Sequence, residues 1–262
     1  EDFFGFESSN RLYMRYDTGS DVKSSALFRD LNGWYHIVVV ADTTQSQSSS
    51  TASDSRIRFY VNGEQMTDFH SDTSMPSQNF DFRINNNVLH YIGEYPRINS
   101  HLDGYLAEVN FVDGQALDAS YFGFTDGQTG IWMPKRYEGT YGTTGFYLDF
   151  SDNSSTTTLG IDKSPNGNDW TLNNFSVSAG VDNDSFTYTP TNQIPTFHSL
   201  YTSQQGGGSV TYSEGDLKIA TSASGSNYAR YPFAMSSPHL AVNSGKWYVE
   251  FKCNSTKCAF GV

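Results

Sequence analysis

Charge is scarce in this sequence, and basic charge is scarcest. Only 17% of the 262 residues are Asp, Glu, Lys or Arg, and 16 Lys and Arg face 28 Asp and Glu, giving a formal net charge of −12. A surface of that sign repels phosphates, and no local cluster of Lys and Arg offsets it, so nucleic acid and anionic membranes are excluded as expected partners. Cysteine is nearly absent. Cys253 and Cys258 flank Asn254-Ser255-Thr256-Lys257, a spacing that suits a hairpin disulfide or two structural thiols but lacks the second ligand pair of a zinc site. Long apolar runs are missing too. The longest, Ile37 to Ala41, is strand-sized and falls far short of the roughly 20 residues that span a bilayer. No long amphipathic helical pattern occurs, and neither does a Gly-x-Ser-x-Gly elbow, a His-Glu-x-x-His helix or a Walker loop. His36, His70, His90, His101, His198 and His239 have no metal-like spacing. A non-enzymatic role is expected.

What the sequence does have is aromatic and β-branched residues in short runs. Aromatics make up 15% of the chain, a composition suited to pleated sheets. Arg11 to Tyr16, Trp34 to Val40, Ile57 to Val61, Tyr105 to Val112 and Gly145 to Phe150 each read as a strand bounded by Gly, Asn, Asp or Ser. Asn62-Gly63 between Val61 and Glu64 predicts a two-residue hairpin with a type I′ turn, because both central positions need positive φ. Thr43 to Ser55 reads as a long polar loop. Leu117 to Phe122 predicts a single helical turn capped by Asp118. Beyond Pro190 and Pro195, further strand patterns occur at 208–212, 216–220, 229–233 and 245–252. The chain opens on Glu1-Asp2-Phe3 without an initiator Met and closes on the strand-like Ala259-Phe260-Gly261-Val262, so it reads as an interior segment of a longer polypeptide.

The series Trp34-Tyr35-His36-Ile37-Val38-Val39-Val40, Arg58-Phe59-Tyr60-Val61-Asn62-Gly63, Tyr91-Ile92-Gly93 and Leu102-Asp103-Gly104-Tyr105-Leu106-Ala107-Glu108-Val109 resembles, in order, the strands of laminin-G-like, concanavalin A-like jelly rolls. The continuation through Asp113-Gly114-Gln115-Ala116-Leu117, Gly139 to Phe150 and Asn166-Gly167-Asn168-Asp169-Trp170 resembles the versions carried by tailed phages, marine ones among them. Ser244 to Phe251, followed by Ala259 to Val262, is similar to the start of a SPRY-like sandwich. The resemblance implies an all-β fold, an antiparallel jelly-roll β-sandwich followed by a second, partial β-sandwich module. The expected organisation is a laminin-G-like sandwich over 1–150 lacking its first strands, a loop-rich extension and linker over 151–196, and a partial SPRY-like module over 197–262. It further implies a fibre or adhesin on the virion surface that binds host cell-surface glycans, with other virion proteins as neighbours and a homo-oligomeric state. The alternative is a structural capsid fibre or decoration protein that packs on neighbouring subunits.

Two sets of site residues follow. Gly160 to Asp169 resembles the Asp-x-Ser-Gly-Asn loop that holds calcium in many laminin-G-like domains, with Asp162, Asn166, Asn168 and Asp169 as the candidate oxygen ligands and Pro165 where the family has glycine. The same residues also read as an Asx-rich turn that needs no metal. Tyr95, Tyr137 and Tyr141, in Gly-, Pro- and Asn-rich connections, are candidate glycan-stacking residues. Trp132, Trp170 and Trp247 read as packing residues. Asp103 and Glu108, an odd number apart on one expected strand, should point to opposite faces and so should not form a catalytic pair.

Overall fold

The computed structural model describes residues 2–17, 19–30, 33–46, 55–178, 183–185, 189–190, 209–213 and 218–222. The chain divides into two compact units, Glu1–Gln193 and Ile194–Val262. The first unit holds, in order, β1 (Phe3–Phe6), β2 (Leu12–Tyr16), β3 (Ser20–Lys23), β4 (Ile37–Ala41), β5 (Ile57–Val61), β6 (Glu64–Gln65), β7 (Glu94–Tyr95), β8 (Ser100–His101), β9 (Val109–Phe111), β10 (Gly123–Thr125), β11 (Trp132–Pro134), β12 (Phe146–Leu148) and a four-residue helix, α1 (Thr156–Leu159). Every strand pair is antiparallel. This is the all-β, antiparallel sandwich expected from the sequence.

Two three-stranded sheets, β1-β2-β3 and β4-β5-β6, make the sandwich. Strand periodicity of two sends Leu12, Met14 and Tyr16 of β2 to one face, where they meet Val22 of β3 and Ile57 and Phe59 of β5. Phe59, Ile57 and Val22 are fully buried, and each such side chain contributes roughly 1.5–3 kcal/mol by leaving water. The even residues of β5 face the other way. Tyr60 joins Val40 and Ala119 in a second cluster, against which Val38 and Trp132 pack. The middle sheet is therefore covered on both faces. Arg58 and Arg56 are buried as well, and their guanidinium groups stay charged while donating to backbone carbonyls, Arg58 to that of Ser55 and Arg56 to those of Gln45, Ser46 and Pro76.

The turn between β5 and β6 is the expected one. Asn62 and Gly63 have φ of 49° and 85°, and a Cβ on Gly63 would lie 2.3 Å from the Trp132 ring. The 3-10 turn at Ala119–Tyr121 also forms, with Asp118 accepting from the Ser120 N–H. Two strands are shorter than their patterns. The expected strand from Trp34 begins only at Ile37, because Ile37 pairs with Val61, the last residue of β5, and nothing continues the ladder beyond the hydrogen bonds of His36 with Asn62. The expected Tyr105 to Val112 strand is reduced to Val109–Phe111. Its partner β12 has three residues, and Glu108 sits at φ 55°, which ends extended backbone there. Asp103 and Glu108 consequently do not share a strand, and the alternation expected between them does not apply.

In the second unit, β13 (Ser209–Ser213) and β14 (Lys218–Ser222) form an antiparallel pair, with Thr211 opposite Ala220, matching two of the four strand patterns there. The patterns at 229–233 and 245–252, the SPRY-like likeness, Cys253, Cys258, His198 and His239 lie outside the described residues.

Replacing Gly63 by Ala should destabilise the first unit by roughly 1–3 kcal/mol, because it combines a left-handed backbone with a collision against Trp132. Urea denaturation followed by tryptophan fluorescence checks this, and an unchanged midpoint would contradict the packing described.

Candidate functional site

The segment after β12 is shaped by short polar side chains. Ser155 caps α1 by accepting from the Thr158 N–H, while the Thr158 hydroxyl returns a bond to the Ser155 backbone, a capping box built with threonine. The helix ends at Gly160, where the chain runs against Trp170. A Cβ on Gly160 would sit 2.1 Å from the Trp170 carbonyl oxygen, so only glycine fits. The Trp170 N–H donates to the Gly160 carbonyl at 2.8 Å and closes residues 160–170 into a loop.

Asp162 is the hub of that loop. Its carboxylate is 6% exposed, and four donors surround it. Oδ1 accepts from the N–H of Tyr147 at 2.8 Å and of Ser164 at 2.7 Å. Oδ2 accepts from the Ser164 hydroxyl at 2.7 Å and the Asn168 N–H at 2.8 Å. The Asp162 N–H in turn donates to Asp169 Oδ1 at 2.9 Å. Asn166 Nδ2 reaches the carbonyls of Gly142 and Gly145, and Asn168 Nδ2 those of Thr143 and Gly145. The four residues singled out from the sequence thus converge, and they staple the loop to the hairpin that leads into β12.

This arrangement does not fit a calcium ion. An ionised carboxylate offers about four acceptor positions, and all four on Asp162 face N–H or O–H donors. The Asn166 and Asn168 side chains present their NH₂ groups to the very carbonyls that would otherwise be ligands, whereas calcium needs six to eight oxygens. Among the described residues no three His, Cys, Asp or Glu side chains gather as a metal would require. Of the two readings of the loop, the Asx-rich turn is the one the geometry favours. Burial acts to raise the Asp162 pKa, but the donors from Tyr147, Ser164 and Asn168 outweigh it and hold the carboxyl below its ordinary value of 3.8.

The three tyrosines do not come together on the surface. Tyr137 and Tyr141 are each 5% exposed and form a buried cluster with Tyr147. They stand edge to face at 5.1 Å. Their hydroxyls are satisfied internally, Tyr137 donating to the Thr140 carbonyl and Tyr141 to Asn110 Oδ1. A phenol with its polar tip bonded can be buried whole, so the expectation that loop placement exposes these two rings is corrected here. Burial pushes the Tyr141 phenol up to about 12. Tyr95 is half-buried with its ring 4.5 Å from that of Phe3, apart from the other two.

A pocket of about 170 Å³ lies instead beside the Asp162 loop, lined by Thr156, Thr157, Asp169, Trp170, Thr171 and Leu172. Trp170 is half-buried, with its ring packed edge to face on Phe146 at 4.9 Å. Asp169 spends only Oδ1 on the loop, leaving Oδ2 able to accept. An indole beside threonine hydroxyls and a carboxylate oxygen offers an apolar surface next to donors and acceptors, which suits the faces and hydroxyls of a sugar ring. The sequence reads Trp170 as a packing residue, and its ring does pack on Phe146; that it also lines a pocket depends on the fold of residues 156–172 and has no local sequence signature.

Residues 1–120 match the family model described as the Concanavalin A-like lectin/glucanases superfamily. The matched segment contains both sheets of the sandwich, and the match points to carbohydrate binding. No curated protein and no solved structure matches the chain.

Asp162→Asn should cost roughly 2–4 kcal/mol, since an amide NH₂ would face the donors now bonded to Oδ2. A depressed carboxyl stabilises above the ordinary carboxylate pKa and loses that contribution as pH falls through its lower folded value. Wild-type stability should therefore fall with acidification below about pH 4, and the variant's acid limb should be flatter in a series of urea titrations. Adding calcium or EDTA should leave the wild-type thermal midpoint unchanged; a calcium-dependent rise of several degrees would restore the metal reading.

Proposed function

We propose that this chain is a non-enzymatic carbohydrate-binding module, and that the Trp170 pocket is where a neutral sugar residue binds. The observation that carries the reading is the juxtaposition in one concavity of an aromatic ring with the uncommitted hydroxyls of Thr156 and Thr157 and the free oxygen of Asp169. The lectin/glucanase match over the sandwich supports the same ligand class, although the pocket is built from residues that follow the matched segment. The resemblance of Asp113–Leu117, Gly139–Phe150 and Asn166–Trp170 to versions carried by tailed phages is the ground for further proposing a place on a virion surface, as a fibre or adhesin that contacts host glycans, among other virion proteins and copies of itself.

A second reading, a structural virion protein, is favoured by one specific feature. Val88, Leu89, Ile98, Leu102 and Leu106 are all exposed, Leu89 at 83%, an apolar density that suits packing against a neighbouring subunit. The two readings differ in what is left accessible on the assembled particle.

Glycan arrays probed with the assembled protein test the first reading. Binding is expected, and Trp170→Ala should weaken it at least tenfold, about 1.4 kcal/mol. Trp170→Phe should retain part of the affinity with an unchanged melting profile. Absence of binding to any saccharide would favour the structural reading.

A further inference from the structure

A second pocket, of about 150 Å³, is lined by Glu108, Pro134, Lys135, Arg136 and Tyr147 of β12. Lys135 and Arg136 follow β11 directly, and the Lys135 N–H is anchored on the Phe122 carbonyl at 2.8 Å. The Arg136 guanidinium lies 5.5 Å from the centre of the Tyr147 ring. Tyr147 is buried and its phenol donates to Glu108 Oε2. Burial, reinforced by that bond and the Glu108 charge, pushes the phenol pKa far up, so Tyr147 stays a neutral donor. Glu108 holds this position at φ 55°, a left-handed conformation that is unfavourable for a non-glycine residue. Oε1 remains available as an acceptor.

Pairing of cations with carboxylates is concentrated at the β1-β2-β3 sheet, on Arg11, Arg15 and Lys23. Lys23 alone lies within 4 Å of Glu7, Asp21 and Asp72, and Arg15 is bonded to Asp21. Among the described residues, neither Lys135 nor Arg136 forms an ion pair with a carboxylate, yet they stand side by side at a concavity.

We propose that this pocket binds the anionic group of an acidic sugar residue, with Arg136 and Lys135 on the anion and Glu108 Oε1 accepting from a neighbouring sugar hydroxyl. The assignment rests on the carbohydrate-binding reading and adds a ligand class to it at a separate place. The planar fork of Arg136 matches a carboxylate or a sulfate ester, and Lys135 adds a point charge. Glu108 supplies the selectivity. It repels a bare phosphate or sulfate ion, whereas a sugar acid brings a hydroxyl that the carboxylate can accept from.

The experiment is titration calorimetry of the full chain with three matched oligosaccharides: one containing glucuronate, its carboxyl-reduced counterpart and an O-sulfated counterpart. Wild type should prefer the glucuronate ligand over the reduced one by at least about tenfold, as expected for a charge-assisted contact. Arg136→Gln and Lys135→Gln should each reduce that preference, Arg136→Lys should keep part of it, and Trp170→Ala should leave the ratio unchanged. A preference for the sulfated ligand that Arg136→Gln abolishes supports the same pocket with a sulfate ester as the anion. Equal affinity for the acidic and reduced ligands, or a preference that survives both Gln variants, overturns the proposal while leaving neutral-sugar binding intact. Failure to bind any of the three overturns this proposal, and the carbohydrate-binding reading falls with it only if the glycan arrays are blank as well.

Discussion

One strand carries the first unit. Ile57–Val61 is only five residues long, yet its odd positions fill the interior of the sandwich and its even positions support the cluster beneath Trp132 and Ala119. A strand buried on both faces cannot use the usual alternation of apolar and polar residues, and Arg58 shows the cost of breaking the rule, since its charge must be dispersed onto a backbone carbonyl. Both sheets and the layer outside them take their positions from this strand. A one-residue slip would turn Phe59 to the outer face and Tyr60 to the interior and disrupt two clusters at once.

How much of this could be read from the sequence depended on whether the determinant was local. Ile57 to Val61, the Asn62-Gly63 turn and the Asp118 cap were legible because each is encoded within a few residues. Strand lengths were less so. Where β4 starts and where β9 starts are decided by how long their partners are, and that is written elsewhere in the chain. Exposure of side chains was the least legible. Tyr137 and Tyr141 stand among turn-forming residues, but their hydroxyls find Thr140 and Asn110 once the chain folds back. The loop from Asp162 to Asp169 was recognisable as a unit, whereas its use as a staple followed only from which neighbours its donors and acceptors meet.

The acidity of the chain has a structural side. Asp42, Asp118, Asp126, Asp149, Asp152 and Asp162 each accept from the N–H of the residue two positions on. These carboxylates replace the hydrogen bonds that regular structure would supply, in a unit where helices are almost lacking. Part of the chain's negative charge is thus a by-product of building loops.

Closing each bend within three residues also separates the parts of the molecule in an evolutionary sense. A loop that carries its own local lock can change its tip, its length or its ligand without renegotiating the core, because few of its constraints pass through distant residues. Asp162 is the exception among the six. Its carboxylate reaches β12 as well as its own turn, so the loop beside the Trp170 pocket is inherited together with the strand it is fastened to, while the others are free to diverge.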